Sequence, residues 1–116
     1  MDRGMAQIRN VRLSLSAQAV GAATWVLDYL RDQVINEPHR SGSPLAAKES
    51  VQLRHADMQV NVFAARSMLY RVAKLVEREG LDETKAEVMA LKIFATGVLL
   101  SQSYALVACM LACLSF

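Results

Sequence analysis

The sequence predicts an all-α protein, an antiparallel bundle of three long helices, and three observations carry that prediction. Between Pro44 and Leu75 and just beyond, apolar and small residues recur at alternating steps of four and three: Val51, His55, Met58, Val62, Ala65, Leu69, Val72 and Val76. That is the period of a helix packed lengthwise on other helices. Five Gly and two Pro in 116 residues leave few places to turn. No segment shows the apolar and polar alternation of a strand, and 53% hydrophobic against 21% charged residues is the balance of a chain with a core, not of a disordered tail.

The first helix is expected over about residues 4–35, with Ile8, Val11, Leu15, Ala22, Trp25 and Tyr29 forming its apolar stripe. Small residues crowd its middle: Ala17, Ala19, Gly21, Ala22 and Ala23 permit close approach by a neighbour, at some cost in helix propensity at Gly21. Pro38 ends the element by removing a donor and by biasing Glu37 away from helical dihedrals. Residues 36–43, NEPHRSGS, are the one real loop.

Ser43 and Pro44 read as an N-cap followed by proline at the first helical position, which starts the second helix at 44 and carries it to 79, where Gly80 stops it. Asp82, with Glu83 in the favourable first turn, opens a third helix over 82–116. A break or kink at Gly97 would turn the three-helix bundle into a four-helix one. At this length the chain is one helical-bundle domain.

A formal net charge of +2 excludes an electrostatic case for nucleic acid, which calls for clustered Lys and Arg in larger excess. Cys109 and Cys113 lie four apart on one helical face with no His nearby in sequence, so they read as small apolar residues in a reducing compartment and not as a metal site. Met1 to Asn10 lacks the apolar core of a signal peptide. After Lys92 no charged side chain follows for roughly two dozen residues, long enough to span a bilayer. Thr96, Ser101, Gln102, Ser103 and Tyr104 interrupt that run. The expectation is an intracellular, soluble chain, cytoplasmic or of the mitochondrial matrix, with a tail anchor through 93–116 as the competing reading.

No catalytic constellation is visible. His39 falls in the loop and His55 on the heptad face, neither beside a particular Ser. Glu49 and Asp57 are two helical turns apart, too far to share a proton. His39, Arg40, Ser41 and Gly42, leading into a helix N-terminus, have the parts of an anion cradle, yet a solvated connection needs the same residues.

From Arg12 to Thr96 the sequence resembles the C-terminal helical domain of the acyl-CoA dehydrogenase family. The residues that carry the resemblance are Arg12 and the small-residue run to Val20 and Gly21; Leu27-Asp28; Gly42-Ser43-Pro44-Leu45-Ala46-Ala47-Lys48; Val51-Gln52; Ala56-Asp57-Met58; Ala64-Ala65-Arg66; Leu69-Tyr70 and Ala73; and Lys92-Ile93-Phe94-Ala95-Thr96. The resemblance implies a larger FAD-dependent oxidoreductase of fatty acid metabolism, in which an N-terminal helical domain and a β-domain join this bundle in an oligomer. It places Arg12 at the position of an arginine that lies by the acyl-CoA substrate. A second family arginine, which meets a neighbouring subunit's FAD, is missing from its own position, and Arg40 stands two residues away as the substitute. Glu49 replaces a glutamine that contacts the flavin nucleotide, and Val11 stands where some members carry the catalytic glutamate. The Gly-Gly turn expected near Leu111 and Ala112 is absent.

The expectation is therefore a truncated or stand-alone bundle that contributes to acyl-CoA and FAD binding and to homo- or hetero-oligomer assembly through its helical faces. It has no catalytic residue and no metal site of its own, and is inactive in isolation. The alternative is a non-catalytic helical oligomerisation module.

Overall fold

The computed structural model describes residues 3–36 and 42–114. Three long helices run side by side: α1 over Arg3–Tyr29, α2 over Glu49–Glu79 and α3 over Lys85–Leu114, in a body of 62 × 21 × 17 Å. Among the described residues there is no strand segment in the element order. Helix α1 continues as a π-helical turn over Leu30–Ile35, so the helical path ends where the sequence puts it. The end residue of the loop, Asn36, closes it by donating from Nδ2 to the Arg31 carbonyl at 2.7 Å. Pro38, His39 and Arg40 lie outside the described residues.

The heptad face of α2 is the core face. Val51, Met58, Val62, Ala65 and Val72 are buried, and Leu69 and Val76 pack against them half-buried. Helix α1 corrects the sequence reading: its apolar stripe of Ile8, Val11, Leu15 and Trp25 points outward, Trp25 being 62% exposed. The buried face is Ser16, Ala19, Val20, Ala23, Val26, Leu27 and Leu30. Both faces are apolar at helical spacing, and the one with small residues turns inward because it lets neighbouring backbones approach closely. Ala19 and Ala23 thus do what the small run implied, whereas a side chain added at Gly21 would meet no neighbour within 4 Å.

The start of α2 is the second correction. Pro44 is extended (φ −65°, ψ 150°), Leu45–Ala47 form one 3₁₀ turn, and Lys48 is extended again (φ −80°, ψ 128°), so α2 begins at Glu49 and Ser43 is not its cap. The detour buries Leu45 to 1% exposure, and Gln52 Nε2 fastens it by donating to the Ala46 carbonyl at 2.8 Å. Burial of one leucine outweighs the local preference for proline at a first helical position.

Gly80 terminates α2 as the sequence indicates, with φ 86° and its amide donating to the Val76 carbonyl at 2.8 Å. Helix α3 starts at Lys85, three residues later than Asp82, because the intervening turn is held by Thr84 Oγ1 on the Gly80 carbonyl at 2.8 Å. Gly97 lies inside an uninterrupted α3. The bundle has three helices, with α1 and α3 parallel and α2 antiparallel between their ends. Val88, Leu91, Ala95, Val98 and Cys109 are α3's contribution to the core.

Candidate functional site

Arg12 is half-buried on α1, with the Ser16 hydroxyl donating to its carbonyl at 2.7 Å. Its guanidinium has no hydrogen-bond or ion-pair partner among the described residues. One turn earlier, Arg9 is the more deeply buried cation at 8% exposure, and it pairs with Asp82 in the turn before α3. The two arginines stand at the same end of the bundle, and only one of them is neutralised by the chain itself. Sequence reasoning missed Arg9 because a charged residue in an apolar periodicity is normally assigned to the surface. Its partner 73 residues away left no local signal.

The lead-in to α2 lies at the opposite end. Gly42 adopts φ 82°, and Lys48 and Glu49 are both exposed. From Arg12 to the close of the α1 path is roughly 34 Å at 1.5 Å per residue, so the fold does not bring Arg12 and the α2 lead-in together. Arg40, proposed for this region, lies outside the described residues. What is described there does not fit a flavin phosphate: the exposed carboxylate of Glu49 occupies the first turn of α2, where an anionic ligand would be repelled.

Gln102 is fully buried on α3 and His55 half-buried on α2. Gln102 Nε2 donates to the Met58 carbonyl at 3.2 Å, while the buried atoms Gln102 Oε1 and His55 Nε2 have no hydrogen-bond partner among the described residues. No described group of His, Cys, Asp and Glu is close enough to hold a metal ion. Burial pushes the Cys109 thiol above its ordinary value, against a smaller opposing pull from Arg54. On the outer side of the same two helices runs an open groove of about 600 Å³ lined by Arg54, Asp57, Asn61, Gly97, Tyr104 and Ala108, among others.

These features define a class before they define a chemistry: an all-α domain whose helices each keep a second, uncovered apolar face, with an arginine at one end that has no partner among the described residues. A family model for the C-terminal domain of acyl-CoA dehydrogenases matches residues 1–103, and the chain belongs to that family. It is 35% identical over 92 residues to an acyl-CoA dehydrogenase of Bacillus subtilis (strain 168). That match takes in 79% of this chain and 24% of the relative, so the chain spans about a quarter of the relative's length. No solved structure matches it.

Proposed function

We propose that this chain is the helical portion of an FAD-linked acyl-CoA dehydrogenase, working in assembly with the other portions of that enzyme. The observation that carries this reading is the outward apolar seam of α1, Ile8, Val11, Leu15 and Trp25, set beside Arg12 on the same helix. A seam of that length is a surface that another part of a larger protein covers. Arg12, a half-buried cation without a described carboxylate partner, is the residue that meets the acyl-CoA. The chain supplies no base for α-proton abstraction, since Val11 stands at the one position where a family base could fall within it. Flavin is held by the other portions, and a contact from Arg40 rests on the family resemblance alone. The isolated chain is therefore inactive.

Co-expression with the remaining portion of the Bacillus subtilis relative tests this. The expected result is a co-purifying yellow complex that oxidises a saturated acyl-CoA, with Arg12→Ala raising KM about tenfold or more. Failure to form any complex with folded chain, or a complex indifferent to Arg12→Ala, overturns the assignment of that role.

One observation favours a second reading, a tail anchor through residues 93–116: the segment Lys85–Leu111 is long and apolar enough to cross a membrane, and only 22% of its most apolar window is buried. Partition of the folded chain into detergent-free aqueous buffer would remove it.

A further inference from the structure

We infer that the ion pair between Arg9 and Asp82 is a positioning device for Arg12: it anchors the turn of α1 that carries Arg12, and so sets where that guanidinium stands when an acyl-CoA arrives. The inference rests on the role of Arg12 in the proposed function and assigns a task to two residues outside it. From Arg3 to Leu15 every side chain of α1 is exposed except Arg9, which is 8% exposed, and Arg12 and Leu13, which are half-buried. The next buried residue is Ser16. Helix ends fray where side chains make few contacts, and without an anchor at Arg9 the Arg12 turn would belong to such an end. With it, Arg12 is held on both sides, by Arg9 one turn before it and by Leu13 and Ser16 after it.

The post to which Arg9 is tied is itself firm. Asp82 is exposed, but its turn is fixed on both flanks: Leu81 packs half-buried against the core, the Gly80 amide donates to the Val76 carbonyl at 2.8 Å, and the hydroxyl of the buried Thr84 donates to the Gly80 carbonyl at 2.8 Å. The other described ion pairs join residues no more than three apart, so among the described residues this pair alone ties α1 by charge to a distant part of the chain. Charge gives the pair a second effect. Arg9 and Arg12 are three apart on α1, near enough to repel, and Asp82 occupies one of them, so an incoming anion meets Arg12 alone. Loss of the carboxylate would leave Arg9 a buried cation without its anion, a state relieved by moving Arg9 and its turn into water.

Amide hydrogen exchange on the 116-residue chain tests the anchor without flavin or substrate. In Arg9→Met and in Asp82→Asn, residues 8–13 should exchange about fivefold or more faster relative to residues 19–27 of the same helix, while Asp82→Glu, which keeps the carboxylate, should stay within about twofold of the starting ratio. A change shared by both segments, or no change, would overturn the anchor. Kinetics of the flavin-containing complex with the remaining portion of the Bacillus subtilis relative test the second step. Arg9→Met and Asp82→Asn should each raise KM about threefold or more with kcat within about twofold, Asp82→Glu should not, and neither should add to Arg12→Ala, through which the pair acts. Full additivity with Arg12→Ala, or an unchanged KM in a complex that does respond to Arg12→Ala, would overturn the positioning role and leave the proposed function standing. Failure to form that complex, or a complex that ignores Arg12→Ala, overturns the proposed function and the positioning role with it, whereas the anchor stands or falls by exchange alone.

Discussion

Arg9 near the start of α1 and Asp82 in the turn before α3 form an ion pair between segments 73 residues apart, with the arginine side chain 10% exposed and the carboxylate 80% exposed. The pair is asymmetric, because the cation has been taken out of water while its partner remains there.

That asymmetry predicts unequal responses to mutation. Asp82→Ala leaves a nearly buried guanidinium without its anion and should destabilise the fold by about 1–3 kcal/mol. Arg9→Met removes the buried charge and keeps most of the aliphatic contact, so its cost should be below about 1 kcal/mol. Urea unfolding of both variants measures the two values, and equal losses would mean that the pair acts symmetrically.

Gln102 sits fully buried with one polar end satisfied and the other not. Its Nε2 contacts a main-chain carbonyl that also lies within the ladder of α2, so little is stranded when the amide is removed. Gln102→Leu should leave stability unchanged or raise it by about 1 kcal/mol, since the unpaired Oε1 no longer has to be desolvated. A loss of more than about 2 kcal/mol on urea unfolding would show that the amide makes a further hydrogen bond in the folded chain.

How much of this was readable in advance depended on how the two apolar faces of a helix compare. The series from Val51 to Val76 was legible because it runs the length of α2, whereas the second face, Leu53, Val60, Phe63 and Tyr70, is shorter and stays exposed. In α1 the larger apolar residues were the wrong guide. Ile8, Leu15 and Trp25 outweigh Ser16, Ala19 and Ala23 in hydrophobicity, but close packing of α1 on α3 selects the small ones. The start of α2 was misread because local signals at Ser43 and Pro44 carry no information about Leu45, whose short turn packs against the distant π-helical turn Leu30–Ile35. Arg12 was found through family likeness, and its half-burial could not have been read from its neighbours. Arg9 was missed for the opposite reason, a charge hidden where the pattern expects solvent.

Burial raises the Cys109 thiol above its ordinary value, so the fold disfavours the thiolate. The unfolded chain then gives up this proton at lower pH than the folded one. The stability tied to the neutral thiol is fully present below the unfolded value and is lost as pH rises from there through the raised folded value. Alkylation by iodoacetamide near pH 8, in a Cys113→Ser background, should be at least about tenfold slower for folded than for urea-unfolded protein. Equal rates would place Cys109 in contact with solvent.

Gly80 and Gly21 should respond to alanine in opposite directions. Gly80 holds φ 86° and ψ 163° where α2 stops, a conformation that an L side chain adopts only under strain. Gly80→Ala should therefore cost about 1–3 kcal/mol in thermal or urea unfolding. Gly21 lies within α1 with no neighbour placed to meet a Cβ, so Gly21→Ala should stabilise the isolated chain by about 0.5–1 kcal/mol through helix propensity alone. The same substitution also probes the proposed assembly, because Gly21 is exposed next to the Ala22 and Trp25 side of α1. If another domain closes on that side, Gly21→Ala should weaken co-purification of the complex while raising the melting temperature of the chain alone. Unchanged complex formation would place the covering domain farther along the seam, toward Ile8.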